Sequence, residues 1–285
     1  MKQHFGTILI LSLLLLGGVF FLSRRSPTPT ASRLLPFVIK HSAGNTPTPS
    51  PVSPAVRTLR VPILMYHYVE VVTDVKDTIR KSLDILPSTF EVQITTLLKD
   101  GYTPIFMHEL SQGLNGDMPL PDKPIVLTFD DGYRDFYTDV YPILLARHVK
   151  ATNYVISGFV GKNKNYMTAS QVEEIAKSGY VEIGSHTVDH RNMKGMQPSF
   201  QRVELAQSKH DLEVLTGRSV SDFAYPYGAF DTSAEIEAAA AGYDTAVTTE
   251  PGVLHDPSKR FVITRLRPAG RTGAALLSWL ETLKK

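Results

Sequence analysis

The sequence predicts an α/β fold, either a single α/β barrel or a doubly wound sheet, on three observations. From about residue 60, short apolar runs alternate with helical patterns to the end of the chain. Several of those runs, PIVLTF at 124–129 among them, are continuous, as parallel strands covered on both faces require. Helix start and stop signals recur between the runs. With 285 residues, 42% hydrophobic and 20% charged, the chain can bury a substantial core.

In chain order, the uncharged run FGTILILSLLLLGGVFFL at 5–22 comes first, with Lys2 before it and Arg24 and Arg25 after it. Eighteen helical residues reach about 27 Å, close to a bilayer's hydrocarbon thickness of about 30 Å. No small-residue cleavage site follows the run. Residues 1–25 are therefore expected to be a retained signal anchor crossing the membrane once, with a cleaved signal and a secreted protein as the alternative. SPTPT and TPTPSPVSP follow, and alternating Pro and Thr/Ser predicts an extended stalk over 26–59. The folded domain is expected over 60–285.

Its strands are expected at 61–69, 103–107, 124–129, 151–157, 181–186, 222–227, 245–249 and 261–267. Ser88 and Glu91 form a capping-box pattern ahead of Phe90, Ile94, Leu97 and Leu98, with Gly101 as the stop. Thr168 and Gln171 repeat it ahead of Val172 and Ile175, with Gly179 as the stop. Further helices fit 135–148, 199–216, 232–241 and 272–284.

Charge and composition exclude several functions. Residues 1–57 carry six basic residues and no acid, which leaves 24 basic against 28 acidic residues beyond them. A mildly acidic domain is a poor partner for phosphate backbones, so no nucleic acid is expected. The absence of cysteine removes disulfides, thiolate metal sites and a cysteine nucleophile. The chain has no Gly-x-Ser-x-Gly elbow and no glycine-rich phosphate loop.

The remaining chemistry gathers where strands end, which is where barrel enzymes place it. The third strand runs into Asp130-Asp131-Gly132-Tyr133, where adjacent carboxylates face different ways and can serve two tasks; a plain turn is the competing reading. The fifth ends in Ser185-His186-Thr187-Val188-Asp189-His190. In a helical turn, imidazoles four apart share a face and can bind a transition metal; a solvated pair is the competing reading. The two clusters together favour a metal centre, because one Asp and two His leave a coordination position open. The sixth strand ends in Tyr225-Pro226-Tyr227-Gly228 and the first in Tyr66-His67-Tyr68-Val69. The tyrosines could present aromatic faces to a ligand or pack against the rim.

In order, Thr128-Phe129-Asp130-Asp131-Gly132, Ser185 to His190 and Tyr225 to Gly228 resemble the polysaccharide deacetylases with a NodB-homology domain, carbohydrate esterase family 4, over roughly residues 60–270. The resemblance implies a distorted (β/α) barrel of seven to eight strands that hydrolyses N-acetyl groups on amino-sugar polymers. It implies Asp130 as general base, and Asp131, His186 and His190 as ligands of a divalent metal, zinc first, with cobalt, nickel or manganese as alternatives. The Tyr227 N–H would help hold the oxyanion, with Tyr225 and Pro226 shaping the substrate site.

Two positions depart from the family pattern. Ala224 stands where many members have Arg, and Ile263-Thr264-Arg265 where they have Leu-x-His. The opening Pro62-Ile63-Leu64-Met65-Tyr66-His67-Tyr68-Val69 is similar instead to the poly-N-acetylglucosamine deacetylase branch, in which an N-terminal histidine supplies the acid. His67 is thus expected to be the acid, with His255 as substitute, and Arg265 to provide at the substrate site the charge that Ala224 lacks. The expected substrate is an N-acetylglucosamine polysaccharide outside the cell membrane. Peptidoglycan, chitin oligomers, O-acetyl xylan and a weakened glycan-binding module are the alternatives; oligomeric state is open.

Overall fold

A computed structural model describes residues 58–283. The expected anchor, and the expected stalk up to residue 57, lie outside the described residues. Among the described residues no helix is long and apolar enough to cross a membrane.

Eight parallel strands build the main sheet: β1 (Ile63–Tyr66), β2 (Thr103–Ile105), β3 (Pro124–Phe129), β4 (Ala151–Val155), β5 (Val181–Ser185), β6 (Asp222–Ala224), β7 (Thr245–Pro251) and β8 (Ile263–Arg265). Seven of them follow one another from β1 through β3 to β8, while β2 pairs with the first half of β3. Leu266, just past β8, then reaches back to β1. Its N–H donates to the Ile63 carbonyl and its carbonyl accepts from the Met65 N–H, both at 2.8 Å. These bonds make the sheet a nearly closed barrel, and they exclude the doubly wound alternative, whose edges stay apart.

Side chains alternate along each strand. Ile63, Val126, Tyr154, Ala224, Val247 and Ile263 fill the barrel interior. Leu64, Leu127, Phe129, Val155, Ile183 and Phe223 face outward against the helices. Along β3 both sides are largely apolar, which is why it reads as a continuous run rather than an alternating one. Gly184 is the concession to the interior, because a Cβ there would lie 2.4 Å from the Tyr154 ring.

The helices are α1 (Thr78–Leu83), α2 (Pro87–Lys99), α3 (Met107–Asn115), α4 (Tyr141–Arg147), α5 (Ala169–Lys177), α6 (Pro198–Thr216), α7 (Thr232–Ala240) and α8 (Gly273–Thr282). The Thr168–Gln171 capping box forms as expected, Thr168 N–H to Gln171 Oε1 at 2.9 Å and Gln171 N–H to Thr168 Oγ1 at 3.3 Å. The Ser88–Glu91 box does not form. Pro87, which has no N–H to satisfy, opens α2 two residues earlier than a Ser88 cap would, and places Ser88 inside the helix. The expected helix at 135–148 divides into a π-helical turn, Phe136–Val140, and α4, with Pro142 just past the junction. The strand expected to reach Met107 stops at Ile105, because the Glu109 carboxylate accepts the Phe106 N–H at 2.8 Å and starts α3 there. The first expected strand breaks at His67, and Tyr68–Val69 pair separately with Asp84–Ile85.

Candidate active site

The site grows from the alternation of β3. Val126 and Thr128 point into the barrel, and Asp130 follows them inward. Regular alternation would send Asp131 outward. Its backbone instead takes a left-handed φ of 78°, uncommon for a residue with a Cβ, and brings the second carboxylate to the same rim. Thr187 (φ 65°), His190 (φ 56°) and Tyr227 (φ 61°) share this rare conformation. Such strain concentrates at working sites because only surrounding contacts can hold it.

Asp131 Oδ1 lies 3.3 Å from His186 Nε2 and 3.2 Å from His190 Nε2. The ligand atoms of the three residues all fall within 4.8 Å of one another, the one such group among the described residues. His186 leaves the end of β5, and its Nδ1–H donates to the Ala224 carbonyl on β6 at 2.7 Å. That bond turns Nε2 toward Asp131, the usual way a ligating imidazole is oriented. Asp131 Oδ1 is buried with no hydrogen-bond partner satisfying it. A buried carboxylate oxygen facing two ring nitrogens fits a divalent cation. The two histidines do not occupy a helical turn, as their spacing first suggests. They belong to a loop that the two left-handed residues fold back.

Beside this trio, Arg265 Nη1 and Nη2 each donate to one Asp130 oxygen at 2.7 Å. Arg265 Nε donates to the Thr248 carbonyl at 2.8 Å and Nη1 also reaches Thr128 Oγ1 at 3.1 Å. Its side chain is fully buried, so the expectation of a substrate contact at Arg265 is corrected: its charge is spent on Asp130. Burial pushes the Asp130 carboxyl up, but the guanidinium outweighs it and holds the pKa below the usual range. Burial likewise opposes the Asp131 charge, and the facing histidines more than reverse it.

His67 stands where β1 ends, with Nε2 3.8 Å from Asp130 Oδ2. Burial lowers its pKa and the two aspartates partly restore it. His255, the substitute acid, is elsewhere. Its Nε2–H donates to the Val61 carbonyl at 2.8 Å, at the opposite end of the first strand. Tyr225 is also corrected: its side chain is completely buried between Phe223 and Phe230 and cannot meet a substrate. Pro226 is buried as well, and Tyr66 is committed to Gln93 at 3.0 Å. Tyr227, 66% exposed, leans on the His190 ring, and Tyr68 stacks on Tyr133 with centroids 4.0 Å apart.

Two supports have no signature in the sequence. The Ala224 carbonyl is main chain, and Ala224 differs from any other alanine only by where β6 places it. Asp135 accepts the Val69 N–H at 2.6 Å and ties the His67 segment to the turn after β3. A lone Asp past a turn gives no such signal.

The family model described as Polysaccharide deacetylase matches residues 117–246. A Bacillus subtilis protein, YxkH, assigned to the polysaccharide deacetylases, is 32% identical over 226 residues, covering 79% of this chain and 77% of its own. The poly-β-1,6-N-acetyl-D-glucosamine N-deacetylase of Escherichia coli K12 is 27% identical over 62% of this chain and 32% of its own length. Among solved structures, the Streptococcus pyogenes deacetylase PplD in complex with acetate superimposes with a TM-score of 0.73 at 28% identity, over 80% of this chain and all of that one. With both carboxylates and both imidazoles gathered at one barrel rim, and with a relative 32% identical over 79% of this chain and 77% of its own length, the chain belongs to the polysaccharide deacetylase family.

Proposed function

We propose that the protein is a metal-dependent hydrolase that removes N-acetyl groups from an N-acetylglucosamine polysaccharide outside the cell membrane. The observation that carries this reading is the Asp131–His186–His190 trio beside a charged, arginine-held Asp130. A divalent ion on the trio, zinc by preference, would polarise the acetyl carbonyl and acidify a water there. Asp130 takes the proton from the attacking water, for which its enforced charge suits it. The Tyr227 N–H meets the negative charge that develops on the carbonyl oxygen. His67 Nε2, beside Asp130 at the same rim, gives a proton to the departing sugar amine. The E. coli relative supports a β-1,6-linked polymer as substrate.

Acetate release from β-1,6- and β-1,4-linked N-acetylglucosamine oligomers, with and without chelator, tests the proposal. Release from the β-1,6 series that stops with chelator is expected; no release from either series, or release indifferent to chelator, would overturn it. Asp130→Asn should keep the metal and lose about 10²–10⁴-fold in turnover. For location, the reading puts the barrel outside, with residues 1–25 crossing the membrane. Protease added to intact cells should then digest the barrel.

A further inference from the structure

His186 and His190 are held unequally. His186 adjoins a strand and is locked through Nδ1, whereas the His190 ring makes no hydrogen bond to the described protein apart from its approach to Asp131. Its place therefore depends on the backbone of residues 187–189, which is bonded on every side. Glu204 Oε2, on α6, accepts the N–H groups of Val188 at 2.9 Å and Asp189 at 3.1 Å. One helical turn on, Ser208 Oγ donates to the Thr187 carbonyl at 3.0 Å and accepts from Ser185 Oγ at 2.9 Å. From the other side, Ser157 N–H donates to the Thr187 carbonyl and Gly158 N–H to the Val188 carbonyl, both at 3.1 Å. A Cβ on Gly158 would lie 2.6 Å from the Val188 oxygen, so the loop is seated against bare backbone. Glu204 and Ser208 are buried, and Glu204 Oε1 also faces Arg191 Nε at 3.4 Å.

We infer that Glu204, with Ser208 and Gly158, is a positioning residue for the metal centre: it holds the loop between the two histidines so that His190 Nε2 faces Asp131. The inference rests on the metal reading above. A carboxylate satisfying two successive N–H groups stabilises a turn that two left-handed residues would otherwise let unwind. Such outer partners typically change metal affinity 10–100-fold when removed.

The test titrates the metal-free full chain with Co²⁺, followed by visible absorbance, and measures Zn²⁺ by competition with a chromogenic chelator. Glu204→Ala should weaken both ions by about 10–100-fold. Glu204→Gln, which keeps an acceptor oxygen for the two N–H groups, should stay close to the parent. Gly158→Ala alters no charge and no ligand, yet should weaken binding by displacing Val188, and it decides the matter if Glu204→Ala does not fold. Acetate release by the weakened variants should recover at high Zn²⁺, which a loss of fold would not. Folded Glu204→Ala and Gly158→Ala proteins that bind both ions as tightly as the parent would overturn the inference alone. A parent that binds neither ion would overturn the metal reading itself, and the inference with it.

Discussion

At Asp130 burial pushes the carboxyl up, and the Arg265 guanidinium, its main partner, more than reverses it. Removing only the cation leaves that carboxylate buried and uncompensated. Arg265→Met is expected to destabilise the protein by about 3–5 kcal/mol in urea unfolding, and adding Asp130→Asn should recover much of it. Equal stability of the single variant and the parent would show that the pair does not govern Asp130. Asp135 works the other way. Burial pushes its carboxyl up to about 7, only partly offset by the Val69 N–H. In the unfolded chain it ionises near the ordinary value of about 3.9. Its contribution is thus fully present below about pH 4, is lost as pH rises toward 7, and stays lost above. Asp135→Asn keeps an acceptor for Val69 and escapes the loss. Its stability relative to the parent should grow by about 1.4 kcal/mol per pH unit through that window and then level off. A difference that is flat with pH would refute the assignment.

Among the elements, β4 and β5 show how tightly the barrel interior is matched. Tyr154 occupies the space that a side chain at position 184 would need. Gly184→Ala should cost about 1–3 kcal/mol in thermal unfolding, and Tyr154→Leu in the same chain should relieve part of it. No loss in the single variant would mean that the strands separate more easily than their pairing implies. Strand positions and the Asp130-Asp131 and His186–His190 clusters were legible because they depend on local pattern: buried parallel strands leave unbroken apolar runs, and polar residues then stand out where those runs end. Three features were not. α3 was not among the expected helices: only Met107 fell in an expected strand, residues 108–115 were unassigned, and its start depends on the Glu109 carboxylate accepting the Phe106 N–H. Tyr225 follows a strand as a substrate residue would, and only the packing of Phe223 and Phe230 shows that it faces the core. The Arg265–Asp130 pair joins residues 135 positions apart, and no local pattern records such a contact.

For the whole molecule, an ion that binds only the folded site must stabilise the fold by mass action, by about 2.7 kcal/mol at one hundred times its dissociation constant. Saturating Zn²⁺ should therefore raise the melting temperature, chelator should reverse the rise, and His190→Ala should abolish it. An unchanged melting temperature at saturation would deny a preformed centre. The seam at Leu266 adds a matter of timing. Asp131, His186 and His190 come from the middle of the chain, whereas His67 directly follows the first strand and Arg265 ends the last, on either side of that seam. During synthesis the three residues proposed as ligands emerge well before residue 265, at a stage when Asp130 still lacks its arginine. On the proposed reading, chemical competence then waits for a single late event, the docking of the C-terminal strand beside the first, and a chain cut short of Leu266 is expected to release no acetate.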